Sequence, residues 1–315
     1  MKIGIVDLDT SHPQNWIPIE RELGDEVVGV WDGGSVHPAF YVRDFAKRHG
    51  IPVVYDSLAR MAPEVDCAVI HGCDWDTHVS KARPFVERGK AVLIDKPLAG
   101  NLADLRQLEH WARAGARLAG GSALRFCGEV TRFLARPIDE RGTVHTALAG
   151  CAVDEFNYGI HAYAMLCGIL GPGAESVRHL GGEGQRRILV QWPDGRMGFV
   201  LIGAARQWLP FYATVVTDTQ VVQVTADVDA LYRALLTSVR PYLAGECATP
   251  PVPVETWDEP ERLALAARRS WQEGDRVVRL DELREADGGY DGAAFATGYR
   301  RSKYPDGAPT GGKEA

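Results

Sequence analysis

Acidic and histidine side chains follow the first predicted strand, at the edge where an open parallel sheet binds its ligands. The strand Lys2–Val6 leads into the loop Asp7-Leu8-Asp9-Thr10-Ser11-His12. A dinucleotide-binding loop has three glycines here, which permit a tight turn, close approach of a pyrophosphate and close helix packing. In this chain Asp7, Asp9 and His12 stand at those positions. If a cofactor binds at this loop, its candidate contacts are Asp7, Asp9, Thr10, Ser11 and His12.

The two carboxylates of this loop oppose an anionic ligand. A carboxylate about 4 Å from a phosphate costs roughly 4 kcal/mol at an effective dielectric constant near 20. Asp7 and Asp9 could instead serve as turn and capping residues, which is a common use of aspartate in loops. Ser11 and Gln14 have the spacing of a capping box, which predicts a helix whose N-terminus favours an anion. Both interpretations stay open at this point.

The second predicted strand also ends in an acid. Glu26–Trp31 leads into Asp32, at the strand end where the ribose diol of a dinucleotide is held. Gly33 and Gly34 follow and no arginine stands close behind, so the pattern favours NAD over NADP. The alternative is a turn or helix-capping aspartate.

A second polar loop, His71–His78, follows the fourth predicted strand. With the strand order 3-2-1-4-5-6 it lies beside the first loop, which would gather possible ligands for zinc, manganese or iron. The spacing of these residues matches no metal-binding signature. We therefore predict no metal site and interpret the segment as a polar loop packed beside the sheet.

A parallel sheet is needed to position these loops. Short apolar strands alternate with helical stretches in the first third of the chain, which predicts βαβ units covered on both faces. Two predicted hairpins, at 188–202 and 212–225, then indicate antiparallel pairing. The predicted fold is α/β over 1–120 and α+β with a largely antiparallel open sheet over 121–283. Residues 284–315 are predicted to form a tail that lies over the surface or is disordered.

The composition is that of an ordinary globular protein. The chain has 315 residues, of which 45% are hydrophobic and 24% charged, enough for a core in two domains. The net charge of −7 argues against nucleic-acid and anionic-membrane partners. No apolar run approaches the ~20 residues of a membrane span. Six scattered cysteines without a CxxC pair are typical of a reduced, cytoplasmic protein, and we expect a small-molecule substrate.

A more specific pattern lies further along the chain. His78 is followed by Gly89–Ala99, which contains Asp95-Lys96-Pro97, and later by Asn157-Tyr158-Gly159-Ile160-His161. With Arg269–Leu280, these segments resemble the glucose–fructose oxidoreductase/inositol dehydrogenase (Gfo/Idh/MocA) family, over about residues 1–283. The family typically has Glu where Asp95 stands and Asp where Asn157 stands.

The resemblance implies a Rossmann-like N-terminal domain and an open C-terminal sheet that forms a dimer or tetramer. It also implies hydride transfer between NAD(H) and a hydroxyl or ketone of a sugar, a cyclitol or a related compound. Lys96 and His161 would be the catalytic residues. The resemblance adds His78, Asp95, Lys96 and Pro97 to the predicted cofactor contacts. The predicted substrate contacts are Arg125, Asn157, Tyr158 and Tyr163.

These residue types suit the oxidation of an alcohol. The reaction needs a proton acceptor within about 3 Å of the hydroxyl while hydride leaves to a cofactor. A histidine accepts a proton near neutral pH, whereas a lysine must first be desolvated or placed near another cation. Two other functions stay open. One is a binding or regulatory protein that has lost the dinucleotide, and the other is a non-redox hydrolase or lyase, with or without a metal.

Overall fold

The first sheet is formed by the N-terminal third of the chain. The structure, a computed structural model, describes residues 1–182, 184–203 and 205–307. The strands of this sheet are β1 Lys2–Val6, β2 Glu26–Trp31, β3 Val53–Val54, β4 Cys67–Ile70, β5 Ala91–Ile94 and β6 Leu118–Gly120. Their order is β3-β2-β1-β4-β5-β6 and all pairs are parallel. The predicted doubly wound arrangement is confirmed, with its switch point between β1 and β4.

Helices connect these strands. They are α1 His12–Glu22, α2 Tyr41–His49, α3 Leu58–Met61, α4 His78–Val86 and α5 Leu102–Arg113. β4 and β5 are buried along their whole length, as their continuous apolar sequences predicted. The predicted capping box is absent, since Ser11 precedes α1 but makes no side-chain capping hydrogen bond. The Thr10 hydroxyl accepts from the His12 amide instead, at 3.2 Å.

The second sheet is largely antiparallel, as predicted. Its strands are β7 Val144–Ala152, β8 Ser176–His179, β9 Gln185–Gln191, β10 Met197–Gly203, β11 Tyr212–Thr217, β12 Val221–Thr225 and β13 Val278–Arg279. Their order is β12-β11-β7-β10-β9-β8-β13, and within this sheet β7 with β10 forms the one parallel pair among the described residues. The hairpins expected from the sequence are β9–β10 and β11–β12.

The second sheet packs against helices that also reach the first sheet. The helices of this part are α6 Gly128–Leu134, α7 Ile138–Arg141, α8 Gly159–Leu170, α9 Val228–Leu243 and α10 Glu259–Gln272. α8 contacts β7, β10 and α10, and nearly all of its residues are buried. α9 contacts α1 and β6. The two sheets therefore share a continuous apolar core.

A further helix, α11 Gly292–Lys303, lies in the segment that the sequence analysis treated as a tail. Asp291 caps it, accepting from the Ala294 amide at 2.7 Å. Before it, Tyr290 is buried and stacks on Phe156 with 4.0 Å between ring centres. This part of the tail is thus anchored to the body of the protein. Among the described residues, no helix is both long and apolar enough to cross a membrane.

Candidate active site

One pocket lies where the carboxyl ends of the first sheet meet α8 and α9. Its volume is about 220 Å³. Its lining residues are His12, Lys96, Ala123, Leu124, Tyr158, His161, Trp208, Phe211, Val228, Leu231 and Tyr232. Lys96 and the two histidines contribute the charged and imidazole groups, and aromatic and aliphatic side chains complete the wall. This mixture is typical of a site for a small molecule that is recognised through a few polar atoms.

Lys96 is a buried cation in the wall of this pocket. Its Nζ donates to the main-chain oxygen of Asn157 at 3.0 Å and to the side-chain Oδ1 of Asn157 at 2.9 Å. An ammonium group has three N–H donors, so one remains for a ligand. Burial lowers the pKa of Lys96, although the charge of Asp95 acts in the opposite direction. The peptide bond that joins Lys96 to Pro97 is cis.

His161 lies across the pocket at the start of α8. Its Nδ1 is 2.6 Å from the Ser122 hydroxyl oxygen, which also accepts from the Leu124 amide at 3.1 Å. The hydroxyl hydrogen of Ser122 is therefore free to donate to Nδ1. Burial, followed by the charge of Lys96, holds the pKa of His161 well below its ordinary value. His161 is thus a neutral imidazole that can present Nε2–H to a ligand.

His12 and Asp95 form a pair that the sequence did not predict. Nδ1 of His12 is 2.5 Å from Oδ2 of Asp95, and Oδ1 of Asp95 accepts from the Lys96 amide at 2.7 Å. Burial raises the pKa of Asp95, but the charge of His12 and the hydrogen bonds from His12 and His71 outweigh it, so the pKa lies well below its ordinary value. Asp95 is thus an ionised carboxylate that orients His12 and leaves Nε2 of His12 for the pocket.

His71 approaches the same carboxylate from the interior. Its Nδ1 is 3.3 Å from Oδ2 of Asp95, and its buried Nε2 has no hydrogen-bond partner. One ligand atom each from His12, His71 and Asp95 lie within 4.8 Å of one another, which is close enough for a metal ion. This group differs from the one that the loops suggested, because only His12 and His71 belong to those loops. The hydrogen-bond distances to Asp95 describe an oriented base rather than three ligands around an ion.

The three acids predicted near a cofactor lie outside this pocket. Asp7 adopts a positive φ of 65° and bridges neighbouring strand ends, accepting from Gly33 at 3.0 Å and from Lys81 at 2.6 Å. Asp9 accepts from the Cys73 amide at 2.9 Å, and its Oδ1 has no partner. Burial and the charge of Asp7 raise the pKa of Asp9 to about 7 and that of Asp32 to about 6. Asp7 and Asp9 therefore bind neighbouring loops together, as turn residues do.

α11 covers these acids. Lys303 donates to the main-chain oxygen of Asp9 at 3.1 Å, and Arg300 donates to that of Gly34 at 3.1 Å. At its other end, the Gly292 amide donates to Asp76 in the loop after β4, at 2.8 Å. The helix therefore spans the loops after β1, β2 and β4, on which the adenosine and pyrophosphate of a dinucleotide lie in doubly wound folds. In this conformation the crevice does not fit a dinucleotide.

The remaining predicted residues lie in other surroundings. His78 is buried between the main-chain oxygens of Leu98 and Gly72, at 3.1 and 2.8 Å. Arg125 donates to the oxygens of Thr256 and Trp257, at 3.0 and 3.2 Å. Tyr163 is buried within α8, and its hydroxyl has no partner. Ser11 is exposed beside Thr10 at the start of α1. The structure thus brings His12, Asp95, Lys96, Asn157, Tyr158 and His161 together and leaves the others outside the pocket.

Several pocket residues carried no signal in the sequence. Ser122 orients His161, and Tyr232 lies over His12 with 5.0 Å between ring centres. Phe211 lies 4.8 Å from His161, again between ring centres. Each belongs to a segment whose pattern predicts only a strand end, a loop or an amphipathic helix. One signal in the sequence could have indicated an oriented side chain in this pocket. It is the Asp95-Lys96 pair, because an acid directly before a buried lysine at a strand end is available to orient another side chain.

A doubly wound sheet followed by a largely antiparallel one, with lysine and histidine at their junction, is the two-sheet architecture of this chain. The N-terminal part of the chain is similar to the Gfo/Idh/MocA oxidoreductase family. Residues 2–119 match the family model described as "Oxidoreductase family, NAD-binding Rossmann fold". The resemblance read from the sequence is thereby confirmed, and with it the NAD-binding type of the N-terminal domain.

Known proteins resemble this chain in part of their sequence or in their fold. A "Putative UDP-kanosamine synthase oxidoreductase subunit" of Amycolatopsis mediterranei is 33% identical over 150 residues, which are 47% of this chain and 40% of that protein. The chain thus aligns with less than half the length of that relative. A "probable dehydrogenase" of Thermotoga maritima has a similar fold, with a TM-score of 0.75, 18% identity, and coverage of 90% of this chain and 100% of the other.

A second solved structure shows the same fold with ligands. Scyllo-inositol dehydrogenase of Lactobacillus casei, crystallised with NAD(H) and scyllo-inositol, has a TM-score of 0.72 and 14% identity. The similarity covers 89% of this chain and 99% of that one. At these identities the solved structures establish the fold alone.

Proposed function

We propose that this protein is an NAD(H)-dependent oxidoreductase that acts on a hydroxyl or ketone of a sugar, a cyclitol or a related polyhydroxylated compound. The observation that carries the proposal is the pocket in which His12, oriented by Asp95, lies with Lys96 and His161. The family assignment supplies the reaction class, and the relatives that act on sugar-like compounds suggest the substrate class.

The proposed roles of His12, Lys96 and His161 follow from the hydrogen bonds that these side chains make in the structure. When His12 is neutral, its Nδ1–H is held by Asp95, so Nε2 is the atom that takes the proton of a substrate hydroxyl. Lys96 has one free N–H, which stabilises the negative charge that develops on the substrate oxygen. Neutral His161 positions the same oxygen or its neighbour through Nε2–H. The cofactor, when bound, would accept the hydride.

The polar atoms of the pocket suit a ligand with several hydroxyl groups. Lys96 and His161 each offer a hydrogen-bond donor, and His12 offers an acceptor. Phe211, Leu231 and the other apolar lining residues can pack against the C–H faces of a ring. We infer that selectivity comes from the spacing of these polar atoms, because a site built to bond a hydroxyl rejects analogues that lack it.

The decisive experiment is turnover with a panel of cyclitols, sugars and their keto derivatives, followed by NADH absorbance. We expect NAD-dependent oxidation or reduction of at least one member, and Lys96→Ala should abolish it while the circular dichroism spectrum stays unchanged. Arg125→Ala is the matched control, because this cation bonds to residues 256 and 257 away from the pocket. Turnover unchanged in Lys96→Ala would remove Lys96 from the mechanism.

The covered crevice favours a second candidate function. A histidine oriented by a carboxylate can remove a proton next to a carbonyl group without any cofactor. Expulsion of a neighbouring hydroxyl as water would complete an elimination, with Lys96 stabilising the enolate oxygen. Mass spectrometry of the same panel without dinucleotide tests this function, since loss of water without a redox change would identify a lyase.

A further inference from the structure

α11 and the loops after β1 and β2 form one interface. The loops contribute acids at the strand ends, and α11 contributes its basic end. Asp7, Asp9 and Asp32 lie at the ends of β1 and β2, where a dinucleotide fold presents glycines and main-chain N–H groups to an anion. The last turn of α11 carries Arg300, Arg301 and Lys303. Lys81 pairs with Asp7 at 2.6 Å, so part of the acidic charge of this crevice is already balanced. Lys303 and Arg300 reach this edge beside the acids and donate to the main-chain oxygens of Asp9 and Gly34.

The polar contacts of α11 use groups that a nucleotide would otherwise approach. Lys303 donates to the oxygen of Asp9, and its Nζ is also 3.0 Å from Nε2 of His37 in the loop after β2. Burial and the charge of Lys303 lower the pKa of His37 to about 4, so this imidazole is neutral and can accept the hydrogen bond. His37 is further tied to the Tyr304 hydroxyl, at 2.7 Å from Nδ1. The end of the helix is therefore bonded to the loops after both β1 and β2.

The apolar contacts of α11 are specific but few. Ala296 is buried in a small cluster with Val36 of the loop after β2 and Cys73 of the loop after β4. This cluster is separate from the main core of the protein. At the other end, a Cβ on Gly292 would lie 2.8 Å from the Trp75 amide, so the helix approaches the loop after β4 at backbone contact. The helix is thus fitted to the crevice, and it also packs against the main core through Phe295, whose ring centre lies 5.0 Å from that of Trp75.

We infer that α11 is an intramolecular cover that occupies the dinucleotide crevice and must leave it before NAD(H) binds. The inference rests on the proposed use of NAD(H) and adds a way in which the binding of NAD(H) is regulated. A dinucleotide and α11 compete for the loops after β1, β2 and β4, so the apparent affinity is reduced by the fraction of molecules in which α11 is docked. The anchor at Tyr290 keeps the segment attached when the helix undocks. The substrate pocket stays open throughout, because its lining includes no residue of α11.

The first test is NADH binding to the full chain, measured by fluorescence titration. Reversal of two charges in Arg300→Glu/Lys303→Glu should weaken docking and tighten NADH binding at least tenfold. Arg301→Glu is the matched control, because it lies on the same turn, is exposed, and should leave the affinity within twofold of wild type. Hydrogen exchange should show faster exchange of the α11 amides when NADH is added. Full protection of α11 in the NADH complex would overturn the inference.

The second test holds α11 in the crevice with a reversible disulfide bond. Ala296→Cys places a thiol against Cys73, and an oxidised disulfide between them would hold α11 in the crevice. After mass spectrometry has verified the bond, we expect NADH binding to fall at least tenfold on oxidation and to return on reduction. Thr297→Cys, on the exposed side of α11, controls for oxidation itself. Equal binding in both states would overturn the cover but leave the proposed function standing. No binding by any variant, reduced or oxidised, would overturn both.

Discussion

At the scale of single residues, the paired histidine and carboxylate are the main chemical feature. His12 stands where a dinucleotide loop has its third glycine, and Asp95 stands where the family typically has glutamate. The shorter aspartate places its oxygen 2.5 Å from His12 and also bonds the amide of Lys96. One carboxylate therefore connects the two groups to which we assign proton transfer and charge stabilisation.

Replacement of His12 by asparagine should lower kcat by at least about 100-fold, the usual contribution of a general base. Asparagine can keep the hydrogen bond to Asp95 but cannot take a proton, so KM should change only a few-fold. His71→Asn is the control, because His71 bonds to the same oxygen but lies outside the pocket. The measurement is steady-state kinetics on the substrate found in the panel. Equal losses in both variants would contradict the assignment of His12 as the base.

Asp7 offers a test of stability at the same scale. Asp7→Ala removes the partner of Lys81 and keeps a side chain at positive φ, so we expect a loss of about 3 kcal/mol in the free energy of unfolding. Asp7→Gly removes the same ion pair but relieves the backbone strain, and should be about 1 kcal/mol more stable than Asp7→Ala. Urea denaturation of the two variants gives the comparison. Equal stabilities would show that the positive φ carries no cost here.

At the scale of elements, α1 contains a buried acid that limits stability at high pH. Glu20 is 3% exposed and neither of its carboxylate oxygens has a partner. Burial, followed by the charge of Asp25, raises the pKa of Glu20 to about 8. In the unfolded state Glu20 releases its proton once the pH exceeds the ordinary pKa of a glutamate, whereas in the folded state Glu20 keeps this proton up to about pH 8. Stability is lost as the pH rises from that value toward 8.

Glu20→Gln removes this ionisation without a change of shape. We expect little effect near pH 5 and a gain on the order of 5 kcal/mol near pH 9, since each pKa unit corresponds to roughly 1.4 kcal/mol. Thermal unfolding of both proteins across this pH range is the measurement. The exposed Glu22→Gln on the same helix is the control and should show no such pH dependence. A gain that is constant with pH would mean that Glu20 does not titrate in this range.

The elements differ in how well the sequence predicts them. β1 and β2 have the predicted bounds, because their apolar runs end at turn residues. α8 has no polar face, so no periodicity marks it, and it was not predicted. α11 has a mixed composition, and only its docking against the loops makes it a folded element.

At the scale of the whole molecule, the outer face of the second sheet bears on assembly. Leu148, Phe199 and Leu201 are half-exposed on one face, while the residues that alternate with them are buried. Leu148 and Phe199 are paired in register on β7 and β10. A contiguous apolar face of this kind is typical of an interaction surface. We propose that two copies of the chain associate through it, as the family resemblance suggested.

Leu201→Arg would place a charge in the centre of this face. We expect the variant to elute as a monomer, and wild type as a dimer or tetramer, in size-exclusion chromatography with light scattering. Gln272→Arg is exposed on α10 and should leave the wild-type assembly intact. A wild-type protein that is monomeric at micromolar concentration would rule out the proposed assembly.

Sequence alone determined the alternation of strands and helices in the first sheet, the antiparallel character of the second sheet and the resemblance to a known family. These follow from hydrophobic periodicity and from short motifs, both of which are local in the chain. Only the tertiary structure decided that His12 pairs with Asp95, 83 positions away, and that Lys303 rests on Asp9, 294 positions away. Such contacts depend on how distant segments pack, and no local pattern encodes them. The acids at the glycine positions can therefore be read from the sequence, whereas the docking of α11 over them is seen only in the tertiary structure.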